Sequence, residues 1–291
     1  MSERLEHWAD PDGQQPMPFP AADEYARTVM RWAQEPLPPG VVALQGLPYG
    51  EDRLQRLDVY APAGAANAPV LVSWHGGGWT NGYREYNRFM APIVTRMGMV
   101  LVAPSYRLTP AHHMPETAAD ALAALAHVHG HAAEWGGHPQ HLILTGHSAG
   151  GHLAALTALR AAARQAAGVP DGAIAACLPI SGIMDLHHPG PVPGSLEARV
   201  YDTVLQPGQP HDDAVFSPLC WAAGNRLPMV LSWGSQDSER VRLSNQRLAA
   251  MLRLQSGSVA TQCLEGVDHF GSHTGLRDPA HPWYQALAAH L

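Results

Sequence analysis

Gly146-His147-Ser148-Ala149-Gly150 sets a serine between glycines, after the apolar run HLILT and before an Ala/Leu-rich stretch. On a strand–turn–helix, G-x-S-x-G makes a sharp turn that lifts the serine hydroxyl above a sheet. Small residues at 146, 149, 150 and 151 let such a turn close without side-chain clashes. The amide of Ala149 then lies at a helix N-terminus, where free N–H groups and the helix dipole favour an anion. Nucleophilic attack by Ser148 on an acyl carbon is the chemistry that fits. A plain loop serine is the alternative reading of the bare pattern.

His75-Gly76-Gly77-Gly78-Trp79 follows a second apolar run, PVLVSW. Three glycines there offer backbone N–H groups to a ligand without Cβ interference. Acyl transfer develops an alkoxide-like oxygen that needs such donors held in place beforehand. A flexible linker fits poorly between an apolar run and a tryptophan.

A serine hydroxyl needs a base, and eighteen histidines offer themselves. Chain order decides: in such a strand–turn–helix architecture the acid lies after a late strand and the base after the last strand. Asp237 falls in the turn after residues 228–233, and His269 in the turn after 259–264. Asp237 would hold the tautomer of His269 and stabilise its cation. Asp268 and Glu239 compete as the acid, and His273, His147 and His152 as the base. His147 is expected to line the pocket or pack behind the turn.

Positioning these groups requires alternating strands and helices. Strands are predicted at residues 54–60, 69–74, 99–104, 141–145, 173–180, 228–233 and 259–264. Helices are predicted at 23–34, 86–97, 115–134, 149–167, 238–254 and 283–290. That rhythm means crossover connections and a mostly parallel central sheet flanked by helices, an α/β fold. Residues 1–40 read as an N-terminal arm and 41–291 as one domain. Residues 182–217, with HHPGPVPG and QPGQPHDD, break the rhythm and read as a small lid insertion. The insertion's Pro/Gly/His-rich composition suggests few large aliphatic residues to line a tunnel.

The chain has 291 residues, 46% hydrophobic and 15% charged, with a net charge of −7. A large core is affordable, and general disorder is disfavoured. Without a Lys/Arg cluster, nucleic acid and anionic membrane surfaces are disfavoured as partners. No apolar run reaches a membrane span, and the acidic N-terminus lacks a signal-peptide core. A cytoplasmic location is the expectation. Cys177, Cys220 and Cys263 read as buried free thiols. His127 and His131 lack the partners of a metal site, so no metal is expected. No P-loop or complete dinucleotide motif appears, so no cofactor is expected. Trp79, Tyr83, Trp221 and Trp233 are candidates for an apolar substrate slot, and His187-His188 for its edge.

Together HGGGW, YRLTP (106–110), GHSAGGHLAAL (146–156), a late Asp and DHF (268–270) resemble the α/β-hydrolase superfamily. Within it they are similar to kynurenine formamidase (arylformamidase)-like and hormone-sensitive-lipase-like esterases. SGIMDL (181–186) and SPL (217–219) lean to the former, HGGG and YRLTP to the latter. The resemblance implies the α/β-hydrolase fold, with Ser148, Asp237 and His269 as a catalytic triad. It implies the amides of Gly77, Gly78 and Ala149 as oxyanion donors, with Gly76 the substitute if the register differs by one. Trp79, Tyr83 and His147 are the candidate substrate-binding residues. The implied activity is hydrolysis of small esters or aryl formamides through an acyl-enzyme, arylformamidase-like first. A short-chain carboxylesterase and a non-catalytic small-molecule-binding homologue are the alternatives. The implied partner is a small ester or amide, and a homodimer is left open.

Overall fold

Short runs of Val, Leu and Ile at the centre of the chain alternate between two faces. Val70, Val72, Val100, Val102, Leu142 and Leu144 enter one buried cluster, while Leu71, Leu101 and Ile143 enter another. Period-two alternation with both faces apolar is the signature of strands covered by helices on each side. The computed structural model, which describes Gln14, residues 19–209 and residues 211–291, has that arrangement. The expected N-terminal arm lies in part, at 1–13 and 15–18, outside the described residues.

Among the described residues eight strands form one sheet: β1 Val41–Pro48, β2 Arg56–Pro62, β3 Ala68–Trp74, β4 Val100–Pro104, β5 Gly137–His147, β6 Ile174–Ile180, β7 Met229–Gly234 and β8 Val259–Leu264. Their order is β1-β2-β4-β3-β5-β6-β7-β8. β2 runs antiparallel to both neighbours, and β4, β3 and β5 to β8 are parallel. The loops after β3, β5, β7 and β8 therefore emerge at one edge, the side on which open α/β sheets bind ligands.

The helices are α1 Pro20–Ala33, α2 Ala91–Arg96, α3 Met114–His131, α4 Ala149–Leu159, α5 Ala161–Ala166, α6 Leu196–Arg199, α7 Asp212–Val215, α8 Glu239–Leu252, α9 Gly271–Thr274 and α10 Pro282–Ala288. Residues of α3, α4 and α8 join the first cluster; residues of α1, α2 and α10 join the second. Every residue of α4 is buried, which its all-round Ala/Leu/Gly composition permits. No helix among the described residues is long and apolar enough to cross a membrane.

Several sequence expectations need correction. β1 was not foreseen; it is a partly exposed edge strand whose register shifts between Leu44 and Leu47. The helix expected at 86–97 is a 3-10 turn, Arg84–Met90, leading into α2, because Pro92 belongs at a helix start. The helix expected at 149–167 breaks at Arg160, whose ψ is 64°. Of the three cysteines only Cys177 is buried. Cys263 lies on the edge strand β8 and Cys220 on the exposed turn Pro218–Trp221.

Candidate active site

The turn between β5 and α4 is built by steric exclusion. Ser148 has φ 55° and ψ −120°, outside the conformations L-residues favour. A Cβ on Gly150 would lie 2.0 Å from the Trp74 carbonyl oxygen, and one on Gly146 2.5 Å from Gly150. One on Gly151 would lie 2.8 Å from the Ile180 carbonyl oxygen. Glycine at these positions is what brings the Ser148 turn down onto β3 and β6.

The hydroxyl of Ser148 is 2.9 Å from Nε2 of His269, whose Nδ1 is 2.6 Å from Oδ1 of Asp237. A carboxylate only accepts, so Nδ1 carries the imidazole proton and Nε2 is left to accept from Ser148. Asp237 is buried, and its second oxygen accepts from the Gly234 amide at 2.9 Å and the Ser181 hydroxyl at 2.7 Å. Asp268 faces the other way: exposed, it accepts from the Gly271 amide. Glu239 sits in the first turn of α8. Thus, of the residues that competed in the sequence, Ser148, His269 and Asp237 share one hydrogen-bonded line.

Two serines that sequence reasoning missed stand behind it. Ser181, at φ 48°, links Asp237 to Ser272, and Ser272 lies 2.7 Å from the His269 carbonyl oxygen. Two hydroxyl protons serve these three contacts. The ionised acid takes the Ser181 proton, so that of Ser272 goes to Ser181 or to the His269 carbonyl.

Three more histidines are buried and neutral around the line. His147 lies 2.8 Å through Nε2 from the His269 carbonyl oxygen, so that nitrogen bears the proton. Burial first, then the nearby His269 and His273, holds its pKa well below the ordinary imidazole value. Its ring stacks on His273 at 4.9 Å, and His273 Nδ1 meets the Tyr25 hydroxyl at 2.8 Å. Burial lowers His273 to about 3. His152 bonds the Phe216 carbonyl oxygen through Nε2 and packs edge-on against Trp79. None of these three touches Ser148 as His269 does.

The glycine loop after β3 lies beside the turn. Gly77 has φ 121°, Gly78 φ 61° and Trp79 φ 61°. The amides of Gly77 and Gly78 make no hydrogen bond among the described residues. Ala149 is the first residue of α4, so its N–H has no acceptor within the helix. All three N–H groups are thus uncommitted among the described residues. Gly76 instead packs under the turn, where a Cβ would come 3.0 Å from the His147 carbonyl oxygen. Tyr106 of YRLTP supports the loop from below, donating to the His75 carbonyl oxygen at 2.9 Å and stacking on its ring.

A cavity of about 260 Å³ opens onto Ser148 and His269 and is lined by Gly77, Gly78, Trp79 and His147. Tyr83 does not line it: it packs edge-on against Tyr86, which does. Trp221 and Trp233 are not in the lining either. Trp221 lies on the outer turn after α7, and Trp233 is buried on β7. His187 pairs with Asp213 at the surface. Phe19, Ala22 and Tyr25 of the α1 region complete the wall. The 182–217 segment contributes Ile183, Leu196, Val200 and Val204, so its part of the wall is more aliphatic than its overall composition suggested. Among the described residues no cluster of His, Cys, Asp and Glu is arranged to hold a metal. His127 and His131 stack on each other, with His131 bonded to the His127 carbonyl oxygen.

A family model of the alpha/beta hydrolase fold matches residues 71–272, which include the glycine loop, the serine turn and all three hydrogen-bonded groups. The chain belongs to the alpha/beta hydrolase fold family. Among curated members, esterase LipQ of Mycobacterium tuberculosis is 28% identical over 218 residues, covering 71% of this chain and 52% of LipQ. Esterase LipC of the same organism is 30% identical over 226 residues, covering 72% and 56%. This hydrolase-fold chain thus spans about half the length of either relative. Carboxylesterase EstE1, cloned from a metagenomic library, superposes with TM-score 0.74 over 92% of this chain and 93% of its own, at 23% identity. An esterase from Pyrobaculum calidifontis gives 0.75 over 99% and 93%, at 21% identity. At these identities the superpositions speak for the shared fold.

Proposed function

We propose that the protein is a serine carboxylesterase of the hormone-sensitive-lipase type, acting on small carboxylic esters. The observation that carries this reading is the unbroken line Asp237–His269–Ser148, at 2.6 and 2.9 Å, whose Ser148 and His269 line the 260 Å³ cavity. Ser148 Oγ attacks the ester carbon while His269 Nε2 takes its proton. The carbonyl oxygen becomes an oxyanion, held by the amides of Gly77, Gly78 and Ala149. The alkoxide leaves with the proton from His269, and Ser148 remains acylated. Water then attacks the acyl carbon, giving its proton to His269, which returns it to Ser148 Oγ as the acid departs. Asp237 stabilises the imidazolium in both halves.

The names of the curated relatives, LipQ and LipC esterases, favour esters over the aryl formamides that the motifs put first. A small lid from the 182–217 segment and a cytoplasmic, non-membrane enzyme belong to the same reading. The test uses a fluorophosphonate and p-nitrophenyl butyrate. The probe is expected to add covalently at Ser148, and Ser148→Ala is expected to abolish both labelling and turnover while circular dichroism is unchanged. Labelling at another serine, or wild-type turnover in the variant, overturns the assignment.

A further inference from the structure

Two arginines line the cavity over Ser148, and neither forms an ion pair among the described residues. Arg199, the last residue of α6, donates to the Thr80 hydroxyl at 2.8 Å. Thr80 follows the glycine loop directly and lines the same cavity. The guanidinium is thereby anchored beside the proposed oxyanion donors. Arg240, in the first turn of α8, donates to the Leu186 carbonyl oxygen at 2.7 Å. Its Nε is buried and has no hydrogen-bond partner. Neither arginine forms an ion pair among the described residues, unlike Arg84, Arg107, Arg247 and Arg277. Burial pushes both below the ordinary arginine pKa, and for Arg199 no neighbouring charge offsets it. Glu197 is the acidic residue among the described residues of this wall; it and Asp185 raise Arg240 through space, and neither is in an ion pair with it among the described residues. Among the described residues the wall therefore carries two cations against one anion.

A guanidinium offers five donors in a fork that matches a carboxylate. An arginine held in a mostly apolar substrate cavity, with donors unspent and no ion pair among the described residues, is a poor choice for neutral acyl chains. It is a suitable one for an anionic group. We propose that Arg199 and Arg240 form an anion subsite, so that the preferred substrates are esters carrying a carboxylate on the acyl or alcohol portion. This rests on the esterase reading, which supplies the reacting ester bond.

The test compares two matched pairs. p-Nitrophenyl hemisuccinate against p-nitrophenyl 4-methylpentanoate puts the charge on the acyl side; 4-acetoxybenzoate against its methyl ester puts it on the alcohol side. The expected result is a kcat/KM ratio favouring the anionic member by at least about tenfold in one pair. In Arg199→Gln that ratio falls by about tenfold, and in Glu197→Gln it rises. Arg199 as a mere tie between α6 and Thr80 would lower both members together, leaving the ratio unchanged, and that outcome overturns the subsite. Binding of 4-acetoxybenzoate and its methyl ester to Ser148→Ala, followed by calorimetry, gives a readout without turnover. Tighter binding of the anion, lost in Ser148→Ala/Arg199→Gln, supports the subsite even if the esterase reading fails. Equal binding of acid and methyl ester overturns it even if esters are hydrolysed.

Discussion

His147, the residue before the proposed nucleophile, holds the backbone of the proposed base: its Nε2 donates to the carbonyl oxygen of His269 at 2.8 Å. The G-x-S-x-G turn and the loop after β8 are thus joined twice, by the Ser148–His269 contact and by this bond behind it. A buried neutral imidazole is a stiff strut, and its ring is held between Tyr25, His269 and His273. Its bond is to the backbone of the proposed base, and its ring also lines the cavity. His147→Ala removes a buried hydrogen bond, a loss of about 1 kcal/mol or more, and leaves a hole behind His269. The expected outcome is kcat lowered about tenfold, with KM little changed and fluorophosphonate labelling slowed in proportion. His147→Gln, which can still donate, should recover part of the loss. Equal kcat in wild type and His147→Ala would show that the strut is idle.

Asp237 and Asp268 are neighbours of His269 in space and in sequence respectively, and they should separate sharply. Asp237→Asn presents the wrong partner to Nδ1 and should lower kcat by about 10⁴-fold. Asp268→Asn weakens only the cap on the Gly271 amide and should cost less than about 1 kcal/mol of stability, with kcat nearly intact. Ser181→Ala should fall between them, since Asp237 keeps its bond to the Gly234 amide. Steady-state kinetics on the three variants decides the order, and a larger loss from Asp268→Asn reassigns the acid.

Gly77 and Gly78 are chemically identical neighbours in different surroundings. A Cβ at Gly77 would sit 2.0 Å from the Asn81 carbonyl oxygen, with φ at 121°. Gly77→Ala must rebuild the loop, and a displaced oxyanion donor costs about 10²-fold or more in kcat. At Gly78 the nearest atom is 3.9 Å away, and only the left-handed backbone, at about 1 kcal/mol, opposes a side chain. Gly78→Ala should therefore stay within about tenfold of wild type. Comparable losses in the two variants would contradict this placement of the loop.

The three groups of the hydrogen-bonded line were legible because each lies in a turn just after an apolar strand, where local pattern and chain order speak together. The seven strands with strong apolar runs were legible for the same reason. β1 was not, because VVALQGLP is half-exposed and broken near Gly46, so neither alternation nor burial marks it. Ser181 and Ser272 were invisible for a different reason. Ser181 lies 56 residues from Asp237 and 91 from Ser272, and no local pattern announces contacts that distant. Tyr83 was a candidate for the substrate slot, and Tyr86 and Tyr25 line the cavity instead. Which aromatic faces the cavity is decided by how the Arg84–Met90 turn rotates and by α1 packing across it.

Among the described residues four fully buried histidines make stability depend on pH. His75 and His152 are lowered by burial to about 4, His273 to about 3, and His147 well below its ordinary value. Each is neutral in the folded chain, while in the unfolded chain it protonates near 6.5. Above pH 6.5 neither state is protonated and the full stability is present. As pH falls from 6.5 towards 4, the unfolded state binds protons that the folded state refuses, so stability falls. The limiting slope is about 1.4 kcal/mol per pH unit for each histidine. Urea unfolding should therefore show a loss of more than about 3 kcal/mol between pH 7 and pH 5, above the range where ordinary carboxylates titrate. A flat profile over that interval would mean these imidazoles are not buried as described.

The last prediction concerns acyl length. The cavity of about 260 Å³ is closed on one side by Phe19, Ala22 and Tyr25 and on another by Leu196, Val200 and Val204. Apolar walls reward each methylene that fits by about 0.8 kcal/mol, or about fourfold in kcat/KM. They reward nothing once the space is filled, because protein interiors are packed without slack and further atoms must displace side chains. The aliphatic residues from the 182–217 segment extend the favourable range beyond formyl and acetyl, while the small volume ends it early. kcat/KM for p-nitrophenyl esters should thus rise from two carbons, reach a maximum near four to six, and decline beyond. N-formylkynurenine, measured alongside, should be a poorer substrate than the best ester, since its amide leaving group is worse and its formyl group fills none of the aliphatic wall. A maximum at eight carbons or longer would contradict the enclosed site, and a preference for the formamide over every ester would reverse the proposed substrate class.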